Sequence, residues 1–408
     1  MRKLLALLML LVAVPVTADE GTPLVVLISL DGMRHDYPAR EGLDAFHRVL
    51  REGGGADRLT PVYTSNTFPG HVAMATGTYP DVNGIVDNTF IDRGKGRYHM
   101  SADADWLLAE PLWIASTRQG IPTATYFWVG SETPWRGQEP MFRMAPFDGR
   151  RPESEKVRQM LEWLALPEGE RPRLIMSYFA GGDHVAHDFG PTSDKVQEQL
   201  LTQDQALGEL LQGVDRLGLW PRLTLILVSD HGMTPMGDYV DLGARLERAG
   251  IQADVVGSSV AHVHLADPGQ AEAAMQALAG IPGTRVLSGA KAQPLRLAPP
   301  SRMGDVVVLA DPPVTFSRPG GWQRYAMATL RLFGWNFGGH GYAPDLPDMG
   351  GIFLAMGRGV PPGSSFGTVH QVQVAPTVAA LLAIAPPLQS EGGVVPGLRI
   401  PQTEAPLE

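Results

Sequence analysis

Short apolar runs rich in β-branched residues alternate along the chain with longer stretches whose apolar positions recur every three to four residues. Leu24–Leu30 (LVVLISL), 121–128, Leu174–Phe179, 223–229 and 305–309 carry the first pattern and are predicted to be strands. Segments near 40–52, 152–165, 193–217, 269–280 and 370–383 carry the second and are predicted to be helices. Strands that are apolar throughout have no solvent side, so this alternation predicts an α/β fold: a mainly parallel central sheet with helices on both faces. One large domain over 19–384 is expected. Within it, 232–339 has Pro-rich loops and less regular alternation and is expected to form a smaller cap or insertion with returning strands. The Pro-, Gly- and Gln-rich stretch 385–408 is expected to be a partly ordered tail.

The first residues change where such a domain is expected to work. Met1, Arg2 and Lys3 precede an apolar run from Leu4 to Val14 and small residues at Val16, Thr17 and Ala18, the pattern of an export signal cleaved after Ala18. The run is shorter than the roughly 20 apolar residues a membrane span requires, so a periplasmic or secreted protein without a stable span is expected. The chain has no cysteine, which excludes lipid attachment at a leader cysteine, disulfides and thiolate metal ligands. With 33 basic and 43 acidic residues, net charge −10, it lacks the surface expected of a nucleic-acid polymer binder.

Candidate chemistry lies where the predicted strands end. Asp31 follows LVVLISL, Asp230 follows LTLILVS, and Asp183 lies just beyond LIMSYF. In open parallel sheets the connecting loops converge at the carboxyl ends of the strands, so three such aspartates are placed to share one cleft. Asp183 and His187 are four residues apart and would share a helix face. His231 adjoins Asp230, and His340 sits between glycines in FGGHGY. Each alone has an ordinary reading, as a cap, a helix histidine or a glycine-loop residue. Together they form a set of oxygen and imidazole donors suited to Zn or Mn. In TSNTFPGH, Pro69 suits the first turn of a helix, which places Thr67 at that helix's N-terminus, where an anion is stabilised; the simple alternative for Thr67 is an N-cap.

LISLDGMRHDY, TSNTFPGH with GTYPDVNGIVDN, GGDHVAHDFGP, VSDHGM and GGHGY resemble, in this order, the metal-site motifs of the nucleotide pyrophosphatase/phosphodiesterase family of the alkaline phosphatase superfamily. The resemblance extends from about Leu24 to Gly397 and implies an alkaline-phosphatase-like fold. It implies two divalent metal ions, zinc foremost. Asp183, His187 and His340 would hold one, and Asp31, Asp230 and His231 the other, with Thr67 touching the second. Thr67 would be the nucleophile and pass through a phosphothreonine. Asn88 would donate to a non-bridging phosphate oxygen, helped by the Phe68 N–H; its simple alternative is a turn residue. The implied partner is a small phosphodiester or nucleotide. Phe68 and Phe147 could sandwich a nucleobase, whereas Phe147, Trp128 and Trp135 could equally be packing.

Two positions depart from the family pattern: Gly70, where Asn is common, and Gly181, where Glu is common. Other readings stay open. A phosphate monoesterase would call for an extra cation, for which Arg34 is the candidate. A choline-phosphate ester hydrolase shares the same machinery, and an exported binding protein would retain the fold without turnover. A sulfatase is disfavoured, since position 67 is neither Cys nor Ser. His262 and His264 in AHVHL are expected to be structural, because no third donor stands near them in sequence.

Overall fold

The computed structural model describes residues 21–317 and 337–400; the expected export segment 1–18 and residues 401–408 of the tail lie outside these ranges. Eight strands form the main sheet: β1 (Leu24–Leu30), β2 (Gly54–Gly55), β3 (Thr123–Tyr126), β4 (Phe142–Met144), β5 (Leu174–Phe179), β6 (Leu223–Val228), β11 (Phe353–Gly357) and β12 (Ser364–Ser365). Their spatial order is β12-β2-β11-β6-β1-β5-β3-β4. The centre is parallel, with β1 between β5 and β6 in the registers Leu30↔Phe179 and Ser29↔Val228. On one side β11 runs antiparallel to both β6 and β2.

All seven residues of β1 are buried, which matches its unbroken apolar run. Alternate side chains supply opposite cores. Val25 and Leu27 pack with α2 (Thr67–Thr76), α3 (Leu112–Arg118) and α9 (Val374–Leu381). Leu24, Val26, Ile28 and Leu30 pack with α1 (Asp44–Glu52), α4 (Glu153–Leu164) and α6 (Asp194–Leu217). Burying one such side chain contributes about 1.5–3 kcal/mol. A strand clamped on both faces and along both edges therefore cannot shift by a residue without exposing its core, and its end is a rigid mount.

A second, four-stranded antiparallel sheet comprises β7 (Ala253–Val256), β8 (Val260–Leu265), β9 (Thr284–Ser288) and β10 (Val306–Ala310), in the order β7-β8-β10-β9. It builds its own apolar cluster with α7 (Leu242–Arg248), α8 (Ala271–Leu278), Tyr342 and Met349. The apolar run at 305–309, taken from its pattern as one of the alternating sheet strands, belongs here as β10 and pairs antiparallel with β8 and β9. Its composition reports burial and does not say which sheet buries it. His262 and His264 lie on β8, where the Gly304 N–H donates to His262 Nδ1. Burial, followed by the neighbouring His264, pushes His262 down to about 3, so it is neutral.

Candidate metal centre and active site

The parallel registers carry the three aspartates to one edge of the sheet. Asp31 directly follows β1, Asp230 stands two residues beyond β6, and Asp183 opens α5 (Asp183–Phe189) after the turn that follows β5. Two glycines let these pieces meet. Gly181 has φ +66°, and a Cβ there would overlap the Asp31 carbonyl oxygen. A Cβ on Gly70 of α2 would lie 2.7 Å from the Asp230 carbonyl oxygen. Both departures from the family pattern thus fall where helix or turn touches a ligand strand's backbone. His340 arrives just after Phe337–Gly339, a short strand paired antiparallel with Thr234–Met236.

Two donor groups emerge. Asp183, His187 and His340 form one; Asp31, Asp183 and His231 form another, sharing Asp183. Asp230 joins the second through its Oδ2, 3.3 Å from His231 Nε2, while Asp31 Oδ1 is 3.4 Å from the same nitrogen. Thr67 Oγ1 also lies 3.4 Å from His231 Nε2. His187 Nε2 is 3.1 Å from His340 Nε2 and 3.4 Å from Asp183 Oδ1.

The hydrogen bonds around these groups decide what the site can hold. His187 Nδ1 faces the Gly338 carbonyl at 2.9 Å, His231 Nδ1 the Gly232 carbonyl at 2.9 Å, and His340 Nδ1 the Asn66 Oδ1 at 2.7 Å. All three partners are acceptors, which assigns the proton to Nδ1 in each ring and leaves each Nε2 with a lone pair. The carboxylates divide the same way. Asp31 Oδ2 accepts from the Tyr178 hydroxyl at 2.6 Å, and Asp230 Oδ1 from the N–H groups of Gly32 and His231 at 3.1 and 3.0 Å. Asp31 Oδ1, Asp183 Oδ1 and Asp230 Oδ2 are buried without a donor among the described residues. Acceptor-only atoms packed together repel one another and lack compensation for lost water, so they call for cations; oxygen and imidazole donors fit Zn or Mn.

Electrostatics agrees. Burial, then the like charges of Asp230 and Asp183, hold Asp31 well above the usual carboxylate range. Burial, then the neighbouring His231 and His187, hold His340 well below the imidazole range. The first shift marks crowded carboxylates whose charge a cation would offset, and the second keeps the His340 ring neutral with a lone pair to donate.

Thr67 is the first residue of α2, and the extended residue before it is Asn66. The Phe68 N–H does not face the cleft: it donates to Asn88 Oδ1 at 2.9 Å. With Pro69 lacking an N–H, this helix end offers an anion fewer donors than the sequence suggests. The bond instead turns the Asn88 carbonyl inward, leaving its NH₂ as the end that can donate outward. Phe147 is 45% exposed, and its ring lies 5.8 Å from Tyr178 and 5.4 Å from Phe127. The Phe68 ring packs edge-on against Tyr98 at 6.1 Å. Trp128 and Trp135 are buried and donate to the carbonyls of His71 and Leu107, as core packing. Arg34 points elsewhere, paired with Asp36 at 2.6 Å and near Asp348 at 3.6 Å.

Sequence reasoning missed Tyr178, His71, Asn66, Asp87 and Gln371. His71 Nδ1 bonds the Thr67 carbonyl at 2.7 Å and lies 3.6 Å from Asp230 Oδ2; Gln371 Nε2 donates to the Asp230 carbonyl at 2.6 Å. His71 was visible four residues after Thr67. Nothing local marks Gln371, 141 residues from its partner.

The sequence model of the family described as type I phosphodiesterase / nucleotide pyrophosphatase matches residues 25–343. Ectonucleotide pyrophosphatase/phosphodiesterase family member 1 of Homo sapiens is 34% identical over 224 residues, 53% of this chain and 24% of that protein. An uncharacterized pyrophosphatase/phosphodiesterase of Schizosaccharomyces pombe is 33% identical over 221 residues, 52% of this chain and 45% of that protein. The chain thus spans less than half the length of the curated relatives it matches. Human ectonucleotide pyrophosphatase/phosphodiesterase 5 superposes with a TM-score of 0.80 at 25% identity, over 90% of this chain and 97% of that one. The inactive murine protein in complex with AMP gives 0.81 at 23% identity, over 91% and 97%.

Proposed function

The chain belongs to the type I phosphodiesterase / nucleotide pyrophosphatase family, and on that premise we propose that it hydrolyses phosphodiester or pyrophosphate bonds of small nucleotide-type substrates, with Thr67 as covalent nucleophile. One observation carries the reading: the orphaned oxygens of Asp31, Asp183 and Asp230 and the lone pairs of three imidazoles cluster beside the Thr67 hydroxyl.

Asp183, His187 and His340 would hold one divalent ion and Asp31, Asp230 and His231 a second, zinc by donor type. Bound there, they would lower the pKa of the Thr67 hydroxyl and offset charge on the phosphoryl oxygens. Thr67 Oγ1 attacks phosphorus, the bond to the leaving oxygen breaks, and a phosphothreonine forms. The Asn88 NH₂ donates to a non-bridging oxygen as it gains charge. Water entering from the Asp183 and His187 side then cleaves the Thr67–phosphate bond and restores the hydroxyl. His187, about a third exposed, lies toward solvent, which suits that entry. The exposure of Phe147 beside Tyr178 supports its stacking on a nucleobase, with Phe68 as the second ring of the proposed sandwich.

Arg34 is engaged with Asp36 and Asp348, so the extra cation a monoesterase would use is committed elsewhere. Export belongs to the same reading, supported by the leader pattern of residues 1–18 and by relatives whose names mark them as ectoenzymes. Among the described residues no helix is long and apolar enough to cross a membrane. The unit built on β7–β10 would serve as the cap within 232–339.

The test is a panel of a nucleotide diester, a nucleotide pyrophosphate, a monoester and a choline phosphodiester with zinc-loaded protein. The first two should be cleaved, and acid-quenched samples should carry phosphate on Thr67 by mass spectrometry. Preference for the monoester or choline ester, or turnover without phosphothreonine, would reject the proposal.

A further inference from the structure

Asn66 and Asp87 are almost fully buried, yet neither belongs to the metal-ligand or phosphate-contact sets above. Asn66 stands at the N-cap of α2 with φ −124° and ψ 163°, where asparagine ordinarily caps the helix with its side chain, and it makes no such bond. Its carboxamide is spent on two other partners. Oδ1 accepts from His340 Nδ1 at 2.7 Å, and Nδ2 donates to Asp87 Oδ1 at 2.5 Å. The same Asp87 oxygen accepts the Asn88 N–H at 2.6 Å. Asn88 Oδ1 in turn accepts the Phe68 N–H. A continuous set of hydrogen bonds thus runs from a metal-ligand histidine through Asn66 and Asp87 to Asn88, and back to α2 one residue past Thr67.

We propose that Asn66 and Asp87 are positioning residues that couple His340 to Asn88 and hold Thr67 from both sides. The reading rests on the roles assigned above to His340 and Asn88. The geometry gives each bond a task. The Ser65 carbonyl also lies 3.2 Å from His340 Nδ1, and the shorter bond to Asn66 Oδ1 sets the ring angle so that Nε2 faces the other donors, a function that ligating histidines usually assign to a carbonyl or carboxylate. Asn66 cannot both accept from His340 and rotate to cap α2, because Asp87 holds its NH₂ end. Asp87, acceptor-only, draws together two N–H groups 22 residues apart in sequence, one from each end of the site. Its charge polarises the Asn66 amide, which strengthens the Asn66 acceptor toward His340. Thr67 lies between two residues, Asn66 and Phe68, each tied to the Asp87-Asn88 pair, so its hydroxyl is carried on a braced turn.

The test uses the full chain with Asn66→Ala, Asp87→Ala and Asp87→Asn, read by three measurements: zinc retention against a competing chelator, kcat for a nucleotide diester, and the His340 Nδ1–H NMR resonance of metal-free protein. Removing such outer partners costs metal sites about 10- to 100-fold in affinity or activity. Asn66→Ala and Asp87→Ala are each expected to lose zinc retention and kcat on that scale. Asp87→Asn, which keeps the shape and an acceptor oxygen, should lie between them and the wild type. The decisive readout is that Asp87→Ala shifts the His340 Nδ1–H resonance in the same direction as Asn66→Ala, although Asp87 does not touch His340. An unmoved resonance in Asp87→Ala, or zinc retention and kcat within twofold of wild type in both alanine variants, overturns the proposal. If Asp87→Ala does not fold, Asp87→Asn decides by the same resonance and zinc readings. A wild type that turns over no diester while Asp87→Ala still moves the resonance leaves the coupling standing and rejects the enzymatic reading instead.

Discussion

Thr67 and Asn88 differ in what their removal should cost. Thr67 Oγ1 makes one polar contact, to His231 Nε2, and fills no core position. Thr67→Ala is therefore expected to abolish diester turnover while circular dichroism and melting temperature stay near wild type; turnover above a few per cent would reject the covalent route. On the proposed role of Asn88, Asn88→Ala removes one donor to the developing charge, a loss that typically lowers kcat about 10²–10³-fold. It also strips the Phe68 N–H of its acceptor, so a modest loss of stability should accompany it. Asp87 makes a separate pH prediction. Burial, offset in part by the Asn66 and Asn88 bonds, pushes it from 3.8 up to about 6. The folded state thus favours the protonated acid more than the unfolded chain does. Its stabilising contribution is complete below about pH 4 and is lost as pH rises through 6, on the order of 3 kcal/mol. Asp87→Asn should accordingly melt higher than wild type at pH 8 and no higher at pH 4, in metal-free protein. A variant that melts lower at pH 8 would contradict this.

At the scale of elements, the site depends on close approaches between backbones that a side chain would block. Gly70 lets α2 touch the Asp230 strand end, and Gly181, with φ +66°, lets the turn after β5 touch Asp31. Gly181→Ala pays for a left-handed backbone and overlaps the Asp31 carbonyl, so a loss of about 1 kcal/mol or more is expected, with weakened zinc retention. Gly70→Ala is in an ordinary helical conformation, and its cost is displacement of α2 relative to Asp230. It should lower kcat more than it lowers the melting temperature; unchanged kcat with reduced stability would show that the approach serves packing alone.

For the molecule as a whole, the ligand cluster is a source of instability that cation binding relieves. Burial and the like charges of Asp230 and Asp183 hold Asp31 well above the usual carboxylate range. Zinc should therefore raise the melting temperature with the logarithm of free metal, and its binding should release protons. Calorimetric titration in buffers of differing ionisation enthalpy measures that release. Binding that releases no proton anywhere from pH 4 to pH 8 would contradict Asp31 being held above its normal range.

By itself the sequence marked the central strands and the candidate donors. Short unbroken apolar runs rich in β-branched residues fit strands buried on both faces, and the aspartates that follow β1 and β6 are carried to one edge by parallel pairing. Helix spacing likewise decided that Asp183 and His187 meet. Pairing partners required the tertiary structure. An apolar run reports burial without naming its neighbour, so the run at 305–309 belongs to the second sheet, and β11 completes the main one against the direction of β6. Tertiary structure also decided where each hydrogen bond goes. Nothing in the sequence around Asn66 or Asp87 singles either of them out. The approach of Gly339-His340 to the start of α2, from a position 274 residues further along the chain, is what brings His340 onto Asn66 and so into one hydrogen-bonded set with Asp87. Local chemistry is written in neighbouring residues, whereas the partner of a buried polar group depends on which distant backbone the packing brings beside it.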